Sequence, residues 1–232
     1  MRNLHLLSSF RRAGQTVKAR SAVPTHSRSQ LKTGIPAKNR EKRRVTGCYE
    51  GGAAINSRSM QPPSSPCPIV LLREEDAPEI VGLESNCFSS GWTEEQYRRL
   101  LKETDRALQN GLVPSLVLWG VRCSCHALAG YISLGVYSAT GELELFNLAV
   151  RQEHRRNGSG RALLLHAFAW GREKGFEKML LEVRERNLPA VALYASTGFV
   201  PLGRRKSYYR DTGEDAIVMA RFLADDPTTP LP

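Results

Sequence analysis

The sequence lacks an apolar run of about 18 residues, the length that a membrane-spanning helix needs. It also lacks an apolar stretch long enough for the core of a secretory signal. These two absences argue against a membrane protein and against a secreted one.

Its five cysteines form no Cys-x-x-Cys pair. Cys123 and Cys125 stand one residue apart before His126, and no second pair completes a set of four metal ligands. An odd cysteine count without a secretory signal is typical of free thiols in a reducing compartment. We therefore expect no metal and no disulfide.

Acidic residues are missing before Glu41. Residues 1–59 hold 13 Lys and Arg against 2 Asp and Glu, a net charge of +11, whereas the remaining chain carries −1. A segment so basic and so poor in apolar residues cannot bury enough surface to fold. The sequence predicts a disordered basic leader with a Pro-rich linker over 1–68, a folded domain over 69–223 and a flexible tail over 224–232.

Two interpretations of the leader stay open. An Arg- and Ser-rich, acid-poor start is typical of an organellar transit peptide, which would place the protein in a mitochondrion or plastid. Alternatively, Met60 is the true start and the protein is cytoplasmic. If the leader is real and retained, nucleic acid is a possible partner for it alone, through its positive charge.

The domain alternates between strand-like and helix-like patterns. Two short helices follow the first strand, and three strands separated by turn signals follow them. Then come a helix over about 160–174, a strand, a second helix that begins after Asn187, and two final strands. The order β-α-α-β-β-β-α-β-α-β-β predicts an α/β fold with a mixed central sheet and helices on both faces.

A basic, glycine-spaced turn, "RRNGSGR", lies between a strand and the third helix. Glycines let a ligand approach the backbone, and the N–H groups at a helix start attract anions such as pyrophosphate. A Walker loop is excluded because no Gly-Lys-Ser/Thr follows, and a dinucleotide fold fits poorly after an antiparallel meander. Taken alone, the turn could equally be a simple tight turn.

The residues Arg155 to Gly160 fit the Arg/Gln-x-x-Gly-x-Gly/Ala signature of the GNAT acetyltransferases, which the chain resembles. Further on, "LEVR", "ALY", "YY" and "EDA" resemble the family branch that acetylates the N-terminal alanine of a ribosomal protein. The likeness spans about 150 residues. Residues 107–111 and the Cys123–His126 turn depart from it.

The resemblance implies that acetyl-CoA is the co-substrate. In the family, backbone groups of the fourth strand pair with the pantetheine arm, and the glycine loop holds the pyrophosphate. The strands on either side of the third helix are thought to separate to make this room. The expected acetyl-CoA contacts are Leu148, Ala149, Val150, Arg155, Arg156, Asn157, Gly158, Ser159, Gly160, Arg161 and Asn187. Asn187 is also a good helix N-cap in its own right.

Acetylation requires a deprotonated amine, but an α-amine is mostly protonated at neutral pH. By resemblance, Glu182 is the general base and Tyr194 is the general acid that protonates the leaving thiolate. The alternative for Glu182 is a carboxylate paired with Arg184 or another cation. The alternative for Tyr194 is a core ring.

The resemblance places the hairpin of Tyr208 and Tyr209 beside the acceptor, where Glu214 or Asp215 could meet a peptide N-terminus or a basic side chain. It implies a protein Nα-acetyltransferase acting on the N-terminal alanine of the eighteenth protein of the small ribosomal subunit. Broader N-terminal specificity and a small-amine acceptor are alternatives. A non-enzymatic alternative is a ribosome- or RNA-binding adaptor that uses the leader.

Overall fold

The computed structural model describes residues 67–87 and 91–224, which form seven strands and four α-helices in the predicted order. The strands are β1 Ile69–Leu71, β2 Leu116–Arg122, β3 Leu128–Tyr137, β4 Glu142–Val150, β5 Lys178–Arg184, β6 Val200–Tyr209 and β7 Glu214–Phe222. The helices are α1 Ala77–Cys87, α2 Glu94–Gln109, α3 Ser159–Glu173 and α4 Leu188–Ser196. The predictions for 1–66 and 225–232 lie outside the described residues.

The strands form one mixed sheet in the order β1-β2-β3-β4-β5-β7-β6. β1 to β4 pair antiparallel, β4 and β5 pair parallel, and β7 pairs antiparallel with both β5 and β6. Because β7 inserts beside β5, β6 becomes the edge strand. This order brings residues of β6 close to residues of β5 that lie more than twenty positions earlier.

Helices cover both faces, as the sequence predicts. On one face α3 and Tyr194 of α4 pack on alternate residues of β2 to β5 and on Met219 of β7. On the other face α1 and α2 pack on Leu116, Leu118 and Tyr131 of β2 and β3. That second cluster draws none of its described members from β5, β6 or β7. The second face is therefore covered by helices at one end of the sheet.

β4 and β5 separate part-way along their length. Their parallel pairing covers four residue pairs and ends at Leu145 and Leu181. On its other side β4 carries a bulge, because Phe146 is an extra residue between the pairs Leu134–Leu145 and Ser133–Asn147. A bulge increases twist and bends a strand. The far half of β4 thus runs beside β3 alone and leaves an opening next to Glu182.

Two local expectations need correction. The pattern "TEEQYRRLLKET" over 93–104 predicts one of the two short helices, but α2 continues five residues beyond it to Gln109. The expectation of free thiols is wrong for Cys123 and Cys125, which form a disulfide. The tight turn between β2 and β3 brings their Cα atoms to 5.3 Å. Cys67 and Cys87 are free.

Across the described residues no helix is long and apolar enough to span a membrane.

Candidate active site

The glycine turn ends in a left-handed N-cap for α3. Gly158 has φ of +87°, and Arg156 has φ of +65°. The side-chain oxygen of Asn157 accepts hydrogen bonds from the Ser159 hydroxyl at 2.7 Å and from the Ser159 N–H at 3.3 Å. This exposed turn aims the start of a 15-residue helix, whose first N–H groups have no intrahelical acceptor. The geometry suits an anion.

Two loop arginines are tied to neighbouring elements. The Arg155 Nε donates to the Val150 carbonyl at 2.9 Å, and its guanidinium lies 3.8 Å from the Cys87 sulfur. Arg161 donates to the Ser196 carbonyl at the end of α4, at 3.2 Å. Their positive charges are therefore held beside the end of β4 and the start of α3.

The separated half of β4 presents backbone groups to the opening. The Arg151 N–H bonds to the Ala129 carbonyl, and bonded and non-bonded pairs alternate along an antiparallel ladder. Ala149 therefore points its polar groups at β3, while Leu148 and Val150 point theirs away from it. Of the three residues expected to contact pantetheine, Leu148 and Val150 point backbone groups to the open side, where the Val150 carbonyl already accepts from Arg155.

Gly160 lies where this half of β4 meets α3 and α4. A Cβ there would lie 3.3 Å from a methyl carbon of Leu193 and 3.9 Å from one of Val150. The glycine lets the start of α3 sit close to the opening. Asn187 is the N-cap of α4, because its side-chain oxygen accepts from the Ala190 N–H at 3.3 Å.

Glu182 sits on β5, one residue beyond the last pair with β4. Strand alternation places it on the face opposite Leu181, which is in the core. Its side chain is 10% exposed, and its Oε1 is 3.0 Å from the Nε of Arg205. Glu182 lines a cavity of about 300 Å³ together with Tyr137, Glu142, Glu144, Arg205 and Val218. Arg205 is thus one cation that pairs with Glu182, in agreement with the expected alternative of a carboxylate paired with Arg184 or another cation.

Two of the predicted site residues are buried phenols, and Tyr194 packs in the core cluster that contains Leu181. Burial raises the pKa of Tyr194 and also that of Tyr209, so both stay protonated at neutral pH. The Arg184 cation lowers the pKa of Tyr209, while Glu182, Tyr208 and Tyr194 each add to the rise. Tyr209 is thus within electrostatic range of both Glu182 and Tyr194. Tyr208 is half-buried, with its ring 5.4 Å from that of Tyr209.

Arg184 fastens the β6–β7 hairpin to the end of β5. Its side chain is 6% exposed, and its Nη2 donates to both carboxylate oxygens of Asp211, at 2.9 and 3.0 Å. It also donates to the Thr212 hydroxyl at 2.8 Å, lies 3.4 Å from Glu214, and stacks 3.9 Å above the Tyr209 ring. The "LEVR" and "EDA" pieces thus meet in space.

Glu214 and Asp215, which the resemblance places near the acceptor, both accept hydrogen bonds from backbone N–H groups. Glu214 accepts from the Arg186 N–H at 2.7 Å, and Asp215 accepts from the Ser207 N–H at 2.9 Å. Glu214 therefore ties the hairpin to the segment after β5, and Asp215 makes a contact within the hairpin.

Sequence reasoning missed the roles of Arg184 and Arg205 and a buried carboxylate, Glu84. Glu84 accepts hydrogen bonds from the hydroxyls of Tyr97 and Tyr131 and from the Asn147 side chain. Its position four residues after Ile80 and seven after Ala77 on α1 is a core position, and that signal was available. The arginine partners depend on strand order, which no local pattern encodes.

The described residues contain no group of three or more His, Cys, Asp or Glu side chains placed to hold a metal ion.

Comparison with known proteins decides the family. Residues 77–199 match the model of the acetyltransferase (GNAT) family. The chain belongs to the GNAT acetyltransferase family. GNAT acetyltransferases use acetyl-CoA as co-substrate, and this GNAT chain is an acetyl-transferring enzyme.

Several relatives of this GNAT enzyme share a name. A Bacillus subtilis (strain 168) protein, provisionally named a ribosomal protein bS18-alanine N-acetyltransferase, is 34% identical over 148 residues, 64% of this chain and 90% of that protein. The Escherichia coli (strain K12) ribosomal protein bS18-alanine N-acetyltransferase is 46% identical over 81 residues, 34% of this chain and 55% of that protein. The chain thus spans about half of that second relative.

A solved structure agrees with the GNAT fold. The crystal structure of the ribosomal-protein-S18-alanine N-acetyltransferase from Escherichia coli superposes with a TM-score of 0.55 and 28% identity, covering 71% of this chain and 98% of that one. The chain is also similar to a relative that is named for a small molecule rather than a protein. The streptothricin acetyltransferase of Streptomyces lavendulae is 33% identical over 96 residues, 40% of this chain and 51% of that protein.

Proposed function

We propose that this enzyme transfers the acetyl group of acetyl-CoA to the α-amine of a protein N-terminus, with the N-terminal alanine of ribosomal protein bS18 as its acceptor. The relatives named for that reaction support the acceptor. The placement of Glu182, one residue beyond the end of the β4–β5 pairing and facing a cavity, carries the proposal.

Acetyl-CoA would lie in the opening between β4 and β5. The backbone groups of Leu148 and the N–H of Val150 point toward its pantetheine arm, in the manner of an added strand. The turn from Arg155 to Arg161 would receive its pyrophosphate, because helix N–H groups and arginines both favour anions. Asn187, at the start of α4, is a further proposed contact. The acetyl thioester would then lie next to Glu182.

The acceptor would enter on the face that carries Glu182. Its α-amine is mostly an ammonium ion at neutral pH, so Glu182 first takes one proton. The nitrogen lone pair then forms a bond to the thioester carbonyl carbon. As the tetrahedral intermediate collapses, the C–S bond breaks and its electron pair goes to sulfur.

Tyr194 would complete the proton transfers. Its phenol donates a proton to the leaving sulfur, and burial keeps that phenol protonated until needed by raising its pKa. The amide nitrogen loses its second proton, which restores the phenol, and the proton on Glu182 passes to solvent. The products are the acetylated N-terminus, CoA thiol and one proton. Tyr208 and Tyr209 are proposed to contact the acceptor peptide.

The test is thiol release by the Glu182→Gln variant with a ten-residue, arginine-containing peptide that begins with alanine. Loss of a general base lowers kcat by about 10²–10⁴. With an α-amine pKa of about 7.7–8.0, the residual rate rises about sevenfold from pH 7 to 9 as the free amine increases. Glu185→Gln is the matched control, because Glu185 forms an exposed pair with Arg204 at 2.6 Å. Wild-type turnover in Glu182→Gln would refute the proposed base.

The same assay separates the alternatives. Turnover of spermidine or streptothricin in preference to the peptide would support a small-amine acceptor, and equal turnover of peptides with other first residues would support broad N-terminal specificity. The relatives reported above are bacterial proteins, and they give the transit-peptide alternative no support. A cytoplasmic location remains a proposal.

A further inference from the structure

The cation on Glu182 belongs to a half-exposed side chain. Arg205 is 46% exposed, whereas the Glu182 side chain that it contacts is 10% exposed. The Arg205 Nε lies 3.0 Å from Oε1, and both side chains line the same cavity. An acceptor that reaches Glu182 through this cavity therefore meets Arg205.

Arg205 lies where the edge strand loses its regular pairing. Arg205 pairs with Ala216, and the next recorded pair on β6 is Tyr209 with Glu214. Between them Ser207 has φ of +48°, a conformation that costs energy for a residue with a side chain. An arginine at the start of such a segment, on an edge strand, can leave its partner without disturbing the sheet.

The Tyr208 ring offers the Arg205 guanidinium a contact that does not depend on Glu182. The Arg205 guanidinium lies 5.4 Å from the centre of the Tyr208 ring, within the range of a cation–π contact. Arg184, by contrast, is buried and shares two hydrogen bonds with Asp211, so it cannot leave without stranding a carboxylate. Of the two arginines, only Arg205 has both solvent and an aromatic ring to move to.

The guanidinium and an acceptor ammonium compete for one carboxylate oxygen. Both are cations that donate hydrogen bonds to a carboxylate, and Oε1 already holds the first. We propose that Arg205 holds the place of the acceptor ammonium on Glu182 and is displaced when a protonated N-terminus enters. The proposal rests on the proposed function, since it takes Glu182 as the base.

Displacement would favour release of the product. The acetylated N-terminus is a neutral amide, which cannot replace a guanidinium on a carboxylate. Arg205 therefore returns to Glu182 once the amide has formed.

The test measures peptide binding by calorimetry in the presence of CoA, which carries no acetyl group and so permits no turnover. The ligands are the Ala-initiated peptide and its Nα-acetylated form. Arg205→Gln should bind the free peptide about two- to fivefold more tightly, the range of one partly exposed ion pair, and the acetylated peptide with unchanged affinity. Arg205→Lys, which keeps the charge, should restore the wild-type ratio.

Arg204→Gln is the matched control, because the adjacent arginine forms an exposed pair with Glu185 and should leave both affinities unchanged. In turnover, Arg205→Gln should lower KM for the peptide and leave kcat near wild type, since the displaced arginine is absent from the reacting complex. A lower kcat with unchanged KM, or weaker binding of the free peptide, would show that Arg205 is a fixed partner of the base and overturn the proposal.

The two proposals fail separately. Loss of turnover in Glu182→Gln together with unchanged affinity in Arg205→Gln refutes the displacement and keeps the base. Full turnover in Glu182→Gln refutes the base whatever Arg205→Gln does. Melting temperatures of all four variants identify any that fail to fold.

Discussion

The two ends of the sheet differ in how they are enclosed. β2 and β3 are buried almost throughout, between α1 and α2 on one face and α3 on the other. In β6 the residues from Val200 to Ser207 are all exposed. The core-forming side chains of β5 and β7 face α3, and the opposite face of β5 carries Leu180 and Glu182 into the cavity.

This difference explains where the chemistry lies. Glu182 stands on the first strand beyond the helix cover, beside the opening that the β4 bulge creates. We call β1 to β4, which helices cover on both faces, the closed end of the sheet, and β5 to β7 the open end. The closed end supplies rigidity and the donor site. The open end supplies access for a large acceptor. Because the open end has helices on one face alone, polar contacts must hold its loops in place. Arg184 provides the largest set of such contacts.

The largest loss of stability is expected when the contacts of Arg184 that hold the β6–β7 hairpin are removed. Arg184→Met removes one partner of a buried ion-pair network and leaves Asp211 and Glu214 without their cation. Breaking such a pair costs about 3–5 kcal/mol of unfolding free energy. Urea denaturation measures this loss, and KM for the acceptor peptide should rise because Tyr209 loses its stacked guanidinium.

Arg210→Met, on an exposed residue of the same hairpin, is the control and should change stability by less than about 0.5 kcal/mol. If Arg184→Met were as stable as this control, the hairpin would not depend on the arginine, and the contrast between the two ends would weaken.

A smaller effect, on acetyl-CoA affinity, is expected at the start of α3, where the closed end meets the open end. Gly160→Asp places a carboxylate at the second residue of α3, where a negative charge favours the helix but repels a pyrophosphate. Each lost charge-assisted contact weakens binding by about 10- to 100-fold. Calorimetry with acetyl-CoA measures the change.

Gly82→Asp on α1 is the matched control, because a Cβ there meets nothing within 4 Å. It should leave acetyl-CoA affinity unchanged. Unaltered affinity in Gly160→Asp, with the fold intact, would remove the turn from the donor site.

The sequence predicts the closed end and the donor loop better than the open end. Turn residues and helix caps such as Asn187 and Gly158 act locally, so the element order and the limits of α3 follow from them. The partner of Glu182 depends on β7 inserting between β5 and β6, which joins residues 23 positions apart. The cross-turn disulfide depends on backbone geometry in the same way. The role of each site residue remains a prediction.

The smallest effect is expected inside the closed end, where Glu84 is 4% exposed. Burial raises the pKa of its carboxyl above the ordinary 4.5, although the Tyr131 and Tyr97 hydroxyls that donate to it oppose the rise. The folded state then keeps this proton at pH values where the unfolded chain has lost it. Stability falls with pH wherever the folded state binds more protons, at about 1.36 kcal/mol for each unit by which the pKa is raised.

Glu84→Gln keeps the side-chain volume and an acceptor for the two hydroxyls, but it cannot ionise. The unfolding free energy of the wild type minus that of the variant should therefore be flat below about pH 4.5, the ordinary pKa, and fall as the pH rises through the raised value. Urea denaturation between pH 4 and 8 measures this difference, in which the titrations common to both proteins cancel. A difference that rises with pH would mean that the three donors outweigh burial and that the folded state favours the ionised carboxylate.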